Sequence, residues 1–502
     1  MRSSTELLAL VSAAILIPAH GSPSYGAPAN LVDDQALQDA ITIDGLLSHA
    51  QDLEDIAYAT EGRNRVVAGE GHNNTVKYLV EQLEALDGYY NVELDPFQYT
   101  LQQGVANFSV NGVNYSSAGL EYSAEISVEG VPLVPVANLG CSAGDFPAEA
   151  SGAIALISRG TCTFADKSYF AAQAGAVAAV IYNNVDGLFA SGTLGGENAS
   201  LVATAAVSRE DGLALVASYG NTTLASDLHI VTVFNTIYSN NVIATTAHTN
   251  SSDILFLGAH SDSVEAGPGI NDNGSGSSGI LEAAVQLAKG GWTTVPTVRF
   301  GWWTAEEEGL LGAESYVAKA SDAELARIRL YLNFDMIASP NFKLGIYDGD
   351  GSEFGLSGPA GSDLTEALFE EWFDSIGQNH SASEFNGRSD YGPFLDVGIP
   401  SGGLDTGADD IKTEEDVEKF GGIAGIQADP NYHSAADNVT NLSLEAFEIM
   451  GKGIAHAVAF YGANGFAGYP ERNSTASLKS RNSVESKPRQ TDLHPRRRKS
   501  RF

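Results

Sequence analysis

The second half of the chain alternates short apolar runs with stretches of helical period, and this alternation limits the possible folds more than any other feature. The apolar runs are "ILFLGAH" (254–260), "TVRFGWW" (297–303) and "RIRLYLNFDM" (327–336), and the helical stretches include "ILEAAVQLA" (280–288) and "AFEIMGKGIAHAVAFYG" (446–462). Strands that alternate with helices pair mainly in parallel, because each helix returns the chain to the same edge of the sheet. The sequence therefore predicts an α/β domain with a mixed, largely parallel sheet sandwiched by helices.

The first half of the chain divides into two further zones. Residues 35–115 combine a helical stretch, "TVKYLVEQLEAL" (75–86), with a strand-like one, "YYNVELDPFQY" (89–99). Residues 118–232 are rich in Val, Ala and Gly, and the segment 152–184 predicts a strand, a turn, a helix and a second strand. A chain of 502 residues with 43% hydrophobic residues can bury a large core and is expected to hold more than one domain.

Acidic and imidazole side chains follow the ends of several predicted strands. These residues are His260 and Asp262 in "HSD", Asp272 in the next loop, Glu306 and Glu307, Asp335, and His433 in "NYHSAADN". Ligands of open α/β sheets gather at the carboxyl ends of the strands, so we expect several of these side chains to meet in one crevice. Each residue alone has an ordinary explanation, such as a hydrogen-bonded histidine or an acid that caps a turn. The set as a whole indicates a metal or catalytic site.

The glycine-rich loop "GPGINDNGSGSSG" (267–279) allows three interpretations. Three of its glycines match the G-x-G-x-x-G pattern of a phosphate cradle, but that fold needs a strand running directly into the glycines and an acid about 20 residues further on. The preceding strand ends well before them, and residues 289–305 contain no acid. A flexible surface loop is the second interpretation. In the third, the glycines let the backbone turn sharply enough to aim Asp272 at a fixed point beside the preceding strand.

In this order, the motifs "HSD", "GINDNGSG", "TAEEEGLLG", "YLNFDM" and "YHSAADN" resemble those of the co-catalytic dizinc aminopeptidases of the aminopeptidase Y type, which include secreted leucyl-type aminopeptidases. The resemblance covers residues 35–117 and 235–465, which would be the two parts of one peptidase domain. Residues 118–232, with "GTCTF", resemble the protease-associated domain that this family often carries as an insertion. The resemblance thus implies a β-rich α+β domain inserted into the α/β peptidase.

The resemblance also implies a role for each residue of the set. It assigns five metal ligands to two zinc ions per chain: Asp272 bridges the ions, His260 and Asp335 complete one site, and Glu307 and His433 complete the other. It gives three residues a part in catalysis: Glu306 as the general base, Asp262 as the residue that orients His260, and Tyr432 as an oxyanion donor. The chain has Asn273 where many relatives have a second Asp, and that position is not a ligand in the family pattern.

The chemistry of these side chains agrees with the implied roles. Two histidines and three carboxylates suit zinc, and one carboxylate can bridge two ions about 3.5–4 Å apart. Such ions lower the pKa of a shared water and polarise the scissile carbonyl. Carboxylate-rich sites also accept manganese or cobalt, so the ligand set alone leaves the metal open.

The favoured function is a secreted zinc-dependent exopeptidase that removes N-terminal residues from peptides with a free N-terminus. A carboxypeptidase-type or amide-forming enzyme on the same scaffold is an alternative, because a fold does not fix the substrate. A binding protein with an inactive peptidase domain is a second alternative, but it would be expected to lack a ligand, and all five are present. The chain has no G-x-S-x-G motif to support a Ser-His-Asp hydrolase.

Charge and terminal segments bear on partners and localisation. The formal net charge of −36 argues against a nucleic-acid partner, because the phosphate backbone would be repelled. An apolar run at 7–19 after Arg2 is too short to span a bilayer and predicts a signal peptide over residues 1–21. We therefore expect a secreted monomer without a membrane anchor, with a vacuolar or lysosome-like lumen as the alternative. The basic segment 473–502 has almost no apolar residues and predicts a disordered tail, either retained or trimmed during export.

Two further features suit an exported chain. Cys141 and Cys162 are the two cysteines, and in an oxidising compartment they are expected to form one disulfide rather than remain free buried thiols. Sequons of the type N-x-[ST] recur along the chain, for example at Asn73, Asn198 and Asn379. Their density predicts a glycoprotein.

Overall fold

The computed structural model of the chain describes residues 30–184, 187, 192–196, 198–220, 222–249, 251–470 and 472, with the backbone alone at 102 and 103. The predicted signal peptide (1–21) and the predicted tail (473–502) lie outside the described residues. No helix within the described residues is long and apolar enough to cross a membrane.

Strands and helices are numbered here in chain order. The strands are β1 Asn30–Leu31, β2 Tyr90–Val110, β3 Val113–Tyr115, β4 Ser117–Gly119, β5 Ile126–Pro135, β6 Ile154–Ser158, β7 Ala178–Tyr182, β8 Ala203–Val207, β9 Ala225–Thr246, β10 Ile254–His260, β11 Trp292–Thr293, β12 Thr297–Trp303, β13 Ile328–Phe334, β14 Gly345–Tyr347, β15 Ser381–Ser383 and β16 Ser401–Asp405. The helices are α1 Asp34–Ala40, α2 Ile43–Tyr58, α3 Glu70–Glu84, α4 Phe164–Gln173, α5 Arg209–Ser218, α6 Gly276–Lys289, α7 Leu311–Lys319, α8 Asp322–Arg327, α9 Ser362–Ser375, α10 Tyr391–Asp396, α11 Glu414–Phe420 and α12 Leu444–Asn464.

The second half of the chain forms a mixed sheet in the order β15-β14-β16-β13-β10-β12-β9. The pairs β16–β13, β13–β10 and β10–β12 are parallel, whereas β14 and β9 run antiparallel to their neighbours β16 and β12. All seven residues of β10 are buried, as expected for a parallel strand covered on both faces. The prediction of a mixed, largely parallel sheet with helices is confirmed.

Helices α6 and α12 pack on this sheet and share its apolar core. The stretch of helical period at 446–462 lies in α12, and its apolar residues Phe447, Met450, Ile454 and Tyr461 are all buried. The hydroxyl of Ser443 caps α12 by accepting a hydrogen bond from the backbone N–H of Ala446. The helix is buried over most of its circumference, because it contacts α1 and α6 as well as the strands β10 and β16.

Strands β2 and β9 connect this sheet to a second unit. They pair antiparallel over their full lengths, from Tyr90–Thr246 at one end to Val110–Ser226 at the other. Beyond this antiparallel pair, β5, β6, β7 and β8 form a parallel sheet with α4, α5 and a separate apolar core. The strand–turn–helix–strand order predicted for 152–184 is observed. Cys141 and Cys162 form the predicted disulfide, with their Cα atoms 5.7 Å apart.

Candidate metal centre

The parallel pairing of β10, β12 and β13 brings their carboxyl ends to one edge of the sheet. His260 is the last residue of β10 and lies opposite Trp303, the last residue of β12. Glu306 and Glu307 follow β12 within a short turn, and Asp335 directly follows β13. The strand register therefore places the acidic and imidazole residues that end or follow β10, β12 and β13 next to each other.

Two groups of side chains meet at this edge through Asp272. His260 Nε2 lies 3.2 Å from Asp272 Oδ1 and 3.4 Å from Asp335 Oδ1. On the other side, His433 Nε2 lies 3.1 Å from Asp272 Oδ2 and 3.1 Å from Glu307 Oε2. The structure thus brings together all five sequence-predicted ligands, and the two oxygens of Asp272 face different groups.

The donor atoms of these two groups fit metal ions. Each group offers one ligand atom per residue, and within a group these atoms lie within 4.8 Å of one another. Glu307 Oε1 and Asp335 Oδ1 are buried without a hydrogen-bond partner. Buried carboxylate oxygens without donors are costly unless a cation or a proton neutralises them. The mixture of imidazole nitrogen and carboxylate oxygen suits zinc.

The loop that carries Asp272 is held by a second carboxylate, Asp437. Asp437 Oδ1 accepts a hydrogen bond from the backbone N–H of Asn271 (2.8 Å), and Oδ2 accepts one from that of Asp272 (3.0 Å). Gly269 starts the turn at φ 62°, and a Cβ there would meet the carbonyl oxygen of Asp272 at 2.3 Å. Glycine at this position is therefore required for the turn that aims Asp272.

Arg65 also holds the loop that carries Asp272. Its side chain is fully buried, and its guanidinium donates to the backbone carbonyls of Ser261, Pro268 (2.9 Å) and Gly269 (2.6 Å). Burial lowers the pKa of Arg65 to about 10. Because Ser261 follows His260 while Pro268 and Gly269 precede Asp272, Arg65 ties the end of β10 to the Asp272 loop.

Asp262 supports the two adjacent glutamates. Its Oδ1 accepts from the backbone N–H of Glu306 (3.2 Å) and its Oδ2 from that of Glu307 (3.4 Å). The distance from Asp262 Oδ1 to His260 Nδ1 is 3.7 Å, which is longer than a hydrogen bond. Asp262 therefore lies beside His260, but its hydrogen bonds in this structure go to the backbone of the glutamate turn.

Glu306 Oε2 points toward the centre, 4.0 Å from His260 Nε2. Burial raises the pKa of Glu306 well above its ordinary value, His260 opposes this shift, and Asp390 and Asp335 add to it. Burial would also raise the pKa of Asp272, but hydrogen bonds from His260 and His433 hold it below its ordinary value. Two carboxylates at one site thus have opposite tendencies to take up a proton.

The remaining predicted residue, Tyr432, stacks on a predicted ligand, His433. Its ring lies on the His433 ring with 3.8 Å between centroids. Asp335 is held by a residue that the sequence did not single out, since its Oδ2 accepts from Ser389 Oγ at 2.6 Å. Asn333 donates in turn to that hydroxyl at 2.8 Å.

Sequence reasoning missed Arg65, Ser389 and the role of Asp437. Arg65 and Ser389 lie in no motif, and each reaches the site from a segment distant in sequence. Asp437 stands in the same short stretch as His433, "NYHSAADN", so the only available signal was a further acid beside a predicted ligand.

Comparison with known proteins gives consistent matches. Residues 241–458 match peptidase family M28, and residues 128–215 match the PA domain. The chain is 47% identical over 477 residues to the probable leucine aminopeptidase 2 of Aspergillus fumigatus, covering 94% of each protein. It is 41% identical over 476 residues to the leucine aminopeptidase 2 of Trichophyton rubrum, covering 95% of each.

Two solved structures share the fold. A zinc aminopeptidase from Bacillus subtilis matches with a TM-score of 0.67 at 26% identity, covering 84% of this chain and 95% of that one. An aminopeptidase from Aneurinibacillus sp. strain AM-1 matches with a TM-score of 0.59 at 28% identity, covering 86% of this chain and 95% of that one.

Proposed function

This chain belongs to peptidase family M28 and carries a PA domain, and from that premise we propose that it is a zinc-dependent aminopeptidase that binds two zinc ions per chain. The match to fungal leucine aminopeptidases extends over nearly the whole of both chains, and the solved relative from Bacillus subtilis is a zinc enzyme. Peptides are therefore the substrates, and the relatives' names favour an N-terminal leucine.

The observation that carries the proposal is the position of Asp272 between two ligand groups. One of its oxygens lies 3.2 Å from His260 and the other 3.1 Å from His433. His260 and Asp335 would hold one ion with it, and Glu307 and His433 would hold the other. Bound zinc would supply a water of lowered pKa and would polarise the scissile carbonyl.

Glu306 is the general base of this proposal. Its carboxyl is buried beside the ligand groups, and the backbone N–H groups of Glu306 and Glu307 are both held by Asp262. Glu306 Oε2 would accept a proton from the attacking water and return it to the leaving amine nitrogen. Asp262 positions this turn, and the Tyr432 hydroxyl would donate to the oxygen of the scissile carbonyl as negative charge develops there.

The relatives favour an aminopeptidase over the carboxypeptidase-type alternative. The fungal proteins that match nearly the whole chain are named leucine aminopeptidases. The solved structure from Bacillus subtilis is that of a zinc aminopeptidase.

Three peptides of one sequence test the proposal. The first has free termini, the second is N-acetylated, and the third is amidated at its C-terminus. The aminopeptidase should cleave the first and third and leave the acetylated peptide intact. Cleavage of the acetylated peptide, or failure to cleave the amide, would rule out the proposed substrate class.

We further propose that residues 1–21 are removed, that the enzyme is secreted as a glycosylated monomer, and that residues 118–232 form the inserted domain. The Cys141–Cys162 disulfide supports an oxidising compartment, which the vacuolar alternative shares. N-terminal sequencing of the enzyme from culture medium tests the removal of residues 1–21 and the secretion. A first residue near position 22 is expected, and retention of the enzyme inside the cell would contradict secretion.

A further inference from the structure

A third group of metal-type ligands lies outside the centre described above. Asp348, Asp350 and Glu366 each offer one carboxylate oxygen, and these oxygens lie within 4.8 Å of one another. Asp348 directly follows β14, Asp350 lies in the loop after it, and Glu366 lies on α9. The group therefore joins the end of an outer strand to a helix through a glycine-rich loop, "DGDGSEFG" (348–355).

Asp348 is the buried member of this group. The residue is completely buried, and its Oδ2 accepts hydrogen bonds from the backbone N–H groups of Glu353 (3.2 Å) and Phe354 (2.7 Å). These two bonds fix the carboxylate. Its Oδ1 is buried without any hydrogen-bond partner. A fixed, buried carboxylate with one oxygen that lacks a donor, grouped with two further carboxylates, needs a positive charge to offset its desolvation.

No basic side chain of the described residues supplies this positive charge. Glu366 is 7% exposed, and its Oε2 accepts from the backbone N–H of Asp350 at 2.9 Å. Among the described residues, no lysine, arginine or histidine forms an ion pair with Asp348, Asp350 or Glu366. Asp350 is exposed, which leaves a path from solvent to the cluster.

We propose that Asp348, Asp350 and Glu366 bind a calcium ion that ties the 348–355 loop to α9. The three donors are all carboxylate oxygens, and hard cations such as calcium prefer oxygen ligands. The group contains no histidine, in contrast to the two ligand groups proposed for zinc. Calcium accepts irregular geometry and completes its coordination with carbonyl oxygens and water. Asp348, Asp350 and Ser352 also follow the D-x-D-x-S spacing of the first half of a calcium loop, although Glu353 replaces the glycine of such loops.

Calcium titration of the full-length, zinc-loaded protein by calorimetry tests the proposal. The wild-type chain should bind about one calcium ion in a saturable step. D350N keeps an oxygen that can accept from the Ser352 N–H but removes one charge, and E366Q removes a second ligand charge. Each should weaken calcium binding by about tenfold or more. E353Q removes a charge from an exposed side chain of the same loop and should bind as the wild type does.

Thermal unfolding with and without calcium keeps the test valid if a variant is less stable. Calcium should raise the Tm of the wild type and E353Q, because it binds the folded state alone, and at the same calcium concentration it should raise the Tm of D350N and E366Q by less. Absence of a saturable step in the wild type would overturn the proposal, as expected if a proton shared between carboxylates neutralises the cluster. Equal calcium affinity in D350N, E366Q and E353Q would overturn it as well.

Discussion

The two units joined by the antiparallel strands β2 and β9 both contain parallel strands, but different residues follow the strand ends. Strands β10 and β13 lead into His260 and Asp335, whereas β6, β7 and β8 lead into Ser158, Asn183 and Ser208. Both units contain parallel strands with helices, yet among the described residues the imidazoles and carboxylates converge in the unit of β10, β12 and β13 alone. A parallel sheet therefore provides a place for a site, and the residue types that follow each strand decide whether it becomes one.

The units also differ in how they are held together. The larger unit holds its acidic centre by buried hydrogen bonds that Arg65 and Ser389 donate and that the Asp437 carboxylate accepts. The β5–β8 unit relies on its own apolar core and the Cys141–Cys162 disulfide. If this contrast is correct, metal removal and disulfide removal should affect different properties of the enzyme.

Metal removal should have the largest effect. We expect exhaustive chelation to abolish peptide hydrolysis, because the five proposed ligands would hold the ions that the proposed reaction needs, and added zinc should restore it. Hydrogen exchange should increase around residues 260–272 and stay unchanged at β6 and β7. Full peptide hydrolysis after verified metal removal would contradict this contrast between the units. An equal increase of hydrogen exchange in both units would contradict it as well.

Removal of the carboxylate that holds the Asp272 loop should have the next largest effect. In Asp437→Asn, an amide NH2 faces one of the two backbone N–H groups that the carboxylate accepts from. Zinc affinity should fall by roughly 10- to 100-fold, as for other residues that orient ligands. Glu445→Gln, which removes an exposed acid on α12, is the control. Unaltered zinc affinity in Asp437→Asn would show that the loop is positioned without it.

Loss of the disulfide should have the smallest effect on chemistry. The double variant Cys141→Ser/Cys162→Ser opens a loop between residues 21 apart in sequence and should lower the free energy of unfolding of the β5–β8 unit by about 3 kcal/mol. Denaturant unfolding measures this, with the reduced wild type as the matched control. The kcat of the folded variant should equal that of the wild type. A large fall in kcat at full folding would mean that this unit contributes to the reaction.

The order of strands and helices was predictable because the central strands are continuous apolar runs and α12 has a clear helical stripe. The five candidate ligands were predictable because each follows a strand or stands in a recognisable motif. The length of β2 was not, since the strand continues from the predicted 89–99 to Val110 through pairing with β9. Cross-strand pairing of this kind depends on a partner more than 100 residues away, which local patterns do not reveal.

Supporting residues were harder to predict for the same reason. Arg65 reaches the carbonyl of Ser261, which is 196 residues further along the chain, and Ser389 reaches Asp335 across 54 residues. An isolated arginine or serine has no periodicity or spacing that announces such a contact. The acidic cluster of Asp348, Asp350 and Glu366 likewise becomes visible when α9 folds onto the loop after β14.

The most direct test of the account compares two adjacent residues, Glu306 and Glu307, by measuring zinc per chain and kcat in the same samples. Glu306→Ala should retain about two zinc ions and the fold, yet lose roughly 10²–10⁴ in kcat with little change in KM, because it removes the base and no ligand. Glu307→Ala should lower the zinc content and the stability, because it removes a ligand. Loss of zinc in Glu306→Ala with two zinc ions retained in Glu307→Ala would reverse the assignment, and full activity of both variants would contradict the proposed centre.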